Sequence, residues 1–466
     1  MSQNSPNNDR KISYEKMRAI TSDPAATIHF VGVGGVSMYS LARLALLGGA
    51  KISGSDREES ARTRELSLFG ARIAIGHSRD NVKGASLVVY THAISADNPE
   101  LTEARAAGIP IVSRAEYMGA LMLGYTKRIG VSGSHGKSST VAMLDCIFSQ
   151  AMCQPTVLSG AELTAGEPLK VGSKNLMIYE ACEYKDSFLK FSPTISVGLN
   201  LELDHTDYFT SLQEMRSSFT KALGKATSFS VICGDDENLM RIRHLIKTRV
   251  VTFGRGENND YRYTVTAFLD RGFEFSIEKQ GLPIGKFRLN IPGIFNVSNA
   301  VAAIVVAMEY GIDASTAAEA IEAYRGISRR LEYIGSRYGR AVYYDYAHHP
   351  TEIAASVNAL KMLTHDYLTV LFKPHTYTRT RSLWQELRAA LSLADRVILT
   401  DIYPAREEPI EGITSQRLAE DIGPTAEYCS DEDAVRALDQ RTVGTIVLMG
   451  AGDLERIKYE VLNKYF

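Results

Sequence analysis

The chain has little of several things. Of its 466 residues only five are cysteine and one is tryptophan, and the formal net charge is −2. Cys146, Cys153, Cys182, Cys233 and Cys429 form no C-x-x-C pair and are too sparse for a disulfide scaffold, so a reducing cytoplasm is expected. So small a net charge gives no reason to expect a nucleic-acid or membrane-surface partner, and no protein partner can be deduced. Long apolar runs are missing as well, and "AVAAIVVAM" at 300–308 is far too short to span a bilayer. The first twenty residues, "MSQNSPNNDRKISYEKMRAI", hold no apolar core of signal-peptide length. This polar tail is expected to be disordered.

What is present is the composition of an ordinary globular protein, 45% hydrophobic and 23% charged. One hydrophobic core rarely serves so long a chain, and two or three domains are expected. The patterning suggests three blocks, 1–122, 123–326 and 327–466. The first opens "TIHFVGVGGVSMYSLARLALLGGAKISGSDR": strand, glycine turn, helix, and a second strand ending at Asp56. "ASLVVYTHAI" and "NPELTEARAAG" continue the alternation, which predicts an open parallel sheet. "YTKRIGVSGSHGKSSTVAMLDCIFSQ" starts again with strand, turn and helix. The strands "NLMIYEA" and "TISVGLN", a β-rich stretch near 250–290 and the helix "NVSNAVAAIVVAMEYG" follow. After "GISRRLEYIG" a third α/β pattern begins. The expected fold is therefore α/β: an N-terminal Rossmann-like parallel sheet, a central P-loop-type ATPase domain and a C-terminal Rossmann-like domain. In such sheets ligands bind beyond the carboxyl ends of the strands.

Two glycine loops carry the chemistry. Gly32-x-Gly34-x-x-Ser37, with Gly35 inside it and Asp56 downstream, resembles a dinucleotide fingerprint, and an NAD-dependent dehydrogenase is one reading. The physics is less specific than that name. Glycines let backbone N–H groups and a helix N-terminus approach any diphosphate, that of a UDP-sugar included. The second loop, Gly133-Ser134-His135-Gly136-Lys137-Ser138-Ser139, lacks one glycine of the usual phosphate loop, since Val131 stands at that position. It still joins a strand to a helix, so its free N–H groups and the helix dipole make an anion site. Lys137 would reach the outer phosphates, and the Ser138 hydroxyl would hold Mg²⁺. Glu180 ends one strand and His205 follows another. If those strands are neighbours, the two side chains converge as metal ligands near the loop.

Taken together, these segments resemble the Mur ligases, ATP-dependent amide-forming enzymes of peptidoglycan precursor synthesis. The likeness runs from "HFVGVGGVSM" to "LMGAGDLERI" through "GSHGKSST", "YEACEYKDSFL", "LNLELDHTDYF", "IPGIFNVSNAVAA", "SRRLEYIG", "YYDYAHHPTEI" and "FKPHTYTRT". It is strongest to the members that join L-alanine to the carboxylate of UDP-N-acetylmuramate. Others attach a preformed peptide to the same sugar, and that alternative stays open. The resemblance implies three domains, for the UDP-sugar, for ATP and for the amino acid, the last closing over the site. It assigns Lys137 and Ser138 to the phosphates and a first Mg²⁺, and Glu180 and His205 to a second. Asn299 would face adenine, Arg330 the γ-phosphate and Asp345 the ribose, with His348, His375 and Arg379 around the amino acid. Two positions depart from the family pattern: Phe295 stands where many members have histidine, and Thr376 where many have arginine. The implied reaction passes through an acyl phosphate that the amine attacks. His348 or His205 could take the proton, a choice the sequence leaves open.

Overall fold

A computed structural model describes residues 12–163, 166–205, 208–269, 271–337, 340–405, 407–438, 443–452 and 454–465. The polar tail before residue 12 lies outside the described residues. The apolar run that opens the first block forms the strand Thr27–Val31, buried from Ile28 onward. Such a strand needs helices on both faces, and the flanking apolar stripes supply them. Contacts divide the chain into two units, one built from residues 1–141, 151–162 and 167–251, the other from 142–150, 163–166 and 252–466.

The first unit carries two sheets. One is wholly parallel, in the order Arg72–Ile75, Lys51–Asp56, Thr27–Val31, Leu87–Tyr90, Ile111–Ser113. The order reverses between Thr27–Val31 and Leu87–Tyr90, so the Gly32 turn leaves the sheet at the point where ligands bind in folds of this kind. In the second sheet the strand Lys127–Ser132 lies between Leu176–Glu180 and Ile195–Gly198, parallel to both. Phe229–Cys233 pairs beyond Ile195–Gly198, and Thr156–Leu158 beyond Leu176–Glu180. The strands that lead to Glu180 and to His205 are therefore not neighbours. They flank the phosphate-loop strand, one on each side.

In the second unit the β-rich stretch forms an antiparallel meander, Tyr261–Leu269, Gly272–Lys279 and Leu282–Leu289. It also holds a six-stranded sheet ordered Glu332–Arg337, Arg340–Asp345, Thr445–Gly450, Leu368–Lys373, Arg396–Leu399, Ala426–Tyr428. Period-two alternation sorts its apolar residues into two cores. Tyr343, Val370, Phe372, Val397 and Val447 pack on one face, and Val342, Tyr344, Leu371, Ile398 and Ile446 on the other. Among the described residues none of the five cysteines forms a disulfide. Among the described residues no helix is long and apolar enough to cross a membrane.

Candidate functional site

In the first unit the strand Lys127–Ser132 runs straight into the phosphate loop, and the helix Lys137–Gln150 leaves it. Gly133 (φ +150) and Gly136 (φ +84) adopt backbone angles that side chains resist, and a Cβ on Gly133 would lie 3.0 Å from Leu199 Cβ. The loop is pinned from the far side by the segment after Ile195–Gly198. His135 N donates to Asn200 Oδ1 (2.8 Å), Asn200 Nδ2 donates back to His135 O (3.1 Å), and Ser134 Oγ donates to Glu202 O (2.9 Å). The His135 ring adds a contact to Glu202 Oε2 at 3.2 Å.

Lys137 curls over its own loop, donating to Gly133 O and Ser134 O, and reaches Glu183 Oε1 at 3.1 Å. The same oxygen lies 3.3 Å from His205 Nε2. Glu183 is buried, and burial alone would raise its carboxyl. The charges of Lys137 and His205 prevail and hold it below its ordinary value. Burial would likewise lower the Lys137 ammonium, yet Glu183 above all keeps it raised. The second oxygen, Glu183 Oε2, is buried with no hydrogen-bond partner. An oxygen in that condition is the ligand a hard divalent cation takes. Glu180 is occupied otherwise: its Oε1 accepts from Gly160 N at 2.6 Å and Ser159 Oγ at 3.0 Å. His205 (φ +53) is tilted against Tyr184, with ring centroids 4.8 Å apart. Thus Lys137, His205 and the unforeseen Glu183 meet. Ser138 and Ser139 are buried in the first turn of the loop helix.

The other glycine turn is held from beneath. Gly32 N and Val33 N both donate to Ser55 O (2.8 and 2.9 Å), and Gly34 N donates to Asp56 Oδ2 (2.8 Å). Asp56 thereby braces the turn, its other oxygen taking Arg57 N. The helix Val36–Leu47 starts after Gly35 without a side-chain cap, which leaves the N–H groups around Ser37 for an anion.

The second unit gathers the C-terminal candidates. Arg330 lies between two left-handed residues, Arg329 (φ +63) and Leu331 (φ +45), with its guanidinium over the Tyr346 ring and 3.6 Å from Glu352. Glu352 also faces His348 at 3.6 Å and accepts from its N–H. His348 and His375 lie with ring centroids 5.9 Å apart, His375 stacks on Tyr403, and Arg379 Nη1 reaches His375 Nδ1 at 3.3 Å. His348, His375 and Arg379, expected around one amino acid, do come together. Burial, then the charges of His348 and Arg379, push His375 down to about 4. Asp345 is buried and accepts from Ser356 Oγ, and burial pushes its carboxyl up to about 6. Thr376 (φ +62) caps the short helix Tyr377–Ser382 by accepting from Arg379 N, so it orients Arg379 rather than offering a charge. Asn299 donates to Asn296 Oδ1 at 3.2 Å. Phe295 lies over Gly293 and lines a cavity of about 320 Å³ together with Tyr263, Phe268 and Phe273.

Comparison with known proteins gives three consecutive family matches: "Mur ligase family, catalytic domain" over residues 27–126, "Mur ligase middle domain" over 131–307, and "Mur ligase, glutamate ligase domain" over 329–452. The UDP-N-acetylmuramate–L-alanine ligase of Caldicellulosiruptor bescii is 40% identical over 93% of this chain and 98% of its own length. That of Caldanaerobacter subterraneus subsp. tengcongensis is 40% identical over 94% of this chain and 96% of its own. The crystal structure of the corresponding Thermotoga maritima enzyme superposes with a TM-score of 0.81 at 28% identity, covering 94% of this chain and 99% of that one.

Proposed function

Because the chain belongs to the Mur ligase family, we propose that it joins L-alanine to the carboxylate of UDP-N-acetylmuramate, consuming ATP and passing through an acyl phosphate. The observation that carries this reading is the cluster at the phosphate loop, where Lys137 and His205 converge on one buried carboxylate, Glu183. A carboxylate and the γ-phosphate repel each other, so the site that joins them must be rich in positive charge. Lys137 supplies it from the protein, together with the N–H groups at the start of the loop helix. Mg²⁺ fits the residues present, since Glu183 Oε2 lacks a donor. Glu183, His205 and Ser138 would hold it, Glu180 adding only the oxygen that Gly160 and Ser159 leave, and when bound it would neutralise phosphate charge.

We divide the work along the chain as 1–122 for the UDP-sugar, 123–326 for ATP and 327–466 for the amino acid. Gly32, Gly34, Gly35 and Ser37 meet the sugar diphosphate, with Asp56 bracing their turn. Gly133 to Ser139 cradle the ATP phosphates. Asn299, Arg330 and Asp345 belong to ATP, and His348, His375 and Arg379 to the amino acid. No side-chain nucleophile is required, because the amine itself attacks the acyl phosphate. Burial pushes His375 down to about 4, which makes it a weak base, so His348 and His205 are the candidates to accept a proton from that amine.

The test is ADP release with UDP-N-acetylmuramate, scanned across L-alanine, glycine, L-serine and a tripeptide. L-alanine should give the highest kcat/KM. A preference for the tripeptide would move the chain to the peptide-attaching branch. NADH oxidation without ATP turnover would return it to the dehydrogenases.

A further inference from the structure

We propose that Arg114, with His92 beside it, is the residue that grips the carboxylate of the nucleotide-sugar substrate. This rests on the function proposed above and assigns the reacting end of that substrate to named side chains. The parallel strands Leu87–Tyr90 and Ile111–Ser113 are in register with Tyr90 opposite Ser113. His92 and Arg114 therefore leave the carboxyl edge of the sheet together, in line after the Gly32–Gly35 turn. Arg114 is half-buried, yet among the described residues its guanidinium makes no hydrogen bond or ion pair. The nearest acid on its own helix, Glu116, is already taken by Ser113 and by Lys190 at 3.3 Å.

The charges that act on its neighbour His92 are mostly positive. His92 is held below its ordinary value by burial and then by the charges of Lys185 and Arg114, with Lys190 adding to them and Glu116 opposing. A partly desolvated guanidinium without a counter-charge is costly, and its planar fork matches a carboxylate. Lys137 and Arg114 both act electrostatically on the thiol of Cys182, the residue next to Glu183.

Spacing selects the carboxylate over the diphosphate. Arg114 stands two strands from the glycine turn, roughly 10 Å at ~4.8 Å per strand, which leaves room for a sugar between them. The placement is rigid. The helix Arg114–Met122 lies so close on the Glu183 segment that a Cβ on Gly119 would come within 2.3 Å of Lys190 O. Tyr14 OH donates to that same carbonyl at 2.7 Å.

The experiment measures binding and kinetics of Arg114→Ala and Arg114→Lys with three ligands: ATP, UDP-N-acetylmuramate, and UDP-N-acetylglucosamine, which has the diphosphate but no carboxylate. For Arg114→Ala we expect at least a tenfold rise in KM and Kd for UDP-N-acetylmuramate, with Kd for ATP and for UDP-N-acetylglucosamine within twofold of wild type. Arg114→Lys should recover part of the loss. Equal weakening of both nucleotide sugars would assign Arg114 to the diphosphate and overturn the proposal, as would unchanged affinity for UDP-N-acetylmuramate. Should Arg114→Ala unfold, Arg114→Lys decides alone, because it retains charge but not the bidentate fork. A wild-type protein that binds no UDP-N-acetylmuramate would instead overturn the function on which this rests.

Discussion

His205 Nε2 and Lys137 Nζ approach one oxygen, Glu183 Oε1, at 3.3 and 3.1 Å. A single buried carboxylate thus sets the position of the phosphate-loop cation and of the histidine across from it. Glu183→Gln and His205→Ala should each slow turnover, and the double variant should lose little more than the worse single one, because both disturb one cluster. A double-mutant cycle at saturating Mg²⁺ measures this. Strictly additive losses would separate the two residues.

Lys137→Ala should lower kcat by about two decades or more, since charge stabilisation of that size commonly rests on such a cation. It also strands the buried charge of Glu183, so the melting temperature should fall as well. Adding Glu183→Gln should restore stability without activity. Thermal unfolding and ADP release, run on the single and double variants, check both halves.

Gly34→Val should weaken UDP-sugar binding at least tenfold and leave ATP binding unchanged. A Cβ at Gly34 would lie 3.0 Å from Asp56 Oδ2 and 3.3 Å from Ser60 Oγ, breaking the brace of the turn. Calorimetric titration with each nucleotide reads the split. A comparable loss of ATP affinity would count against separate sites.

Asp345 and His375 should tilt the stability profile in opposite directions. Burial holds the Asp345 carboxyl at about 6 against an ordinary 3.8, so between those values the folded state binds more protons and stability falls as pH rises. Burial holds His375 at about 4 against 6.5, so there the unfolded state binds more protons and stability rises with pH. Asp345→Asn should therefore gain on wild type from pH 4 to 7, and His375→Gln should gain on it as pH falls from 7 to 4. Melting curves across that range parallel to wild type would refute either assignment.

The parallel sheets were legible because strands buried on both faces read as unbroken apolar runs, and "TIHFV" and "RIGVS" each ended at the turn they were expected to serve. Strand order was not legible. Parallel strands are joined by long crossovers, and nothing local told that Lys127–Ser132 would separate the strands leading to Glu180 and His205. Glu183 escaped for a second reason. The chain from Glu180 onward abandons any period, with Lys185 and Asp186 both left-handed (φ +51 and +55), so the direction of its side chains could not be counted from the sequence. His348 and His375 follow strands that Thr445–Gly450 separates, yet their loops meet. There the family likeness anticipated what periodicity could not.

The backbone on either side of Arg330 carries a last consequence. Arg329 and Leu331 sit in the left-handed well, which costs a residue with a Cβ about 1 kcal/mol or more, and the first is fastened there by Arg329 N to Glu332 (2.9 Å), Tyr346 N to Arg329 O (2.8 Å) and an ion pair with Glu455. A residue leaving that well must cross a barrier near φ of zero, with no gradual path around it. A change of direction here therefore calls for a discrete backbone flip rather than gradual bending, and Glu455, remote in sequence from Arg330, helps to hold the observed setting.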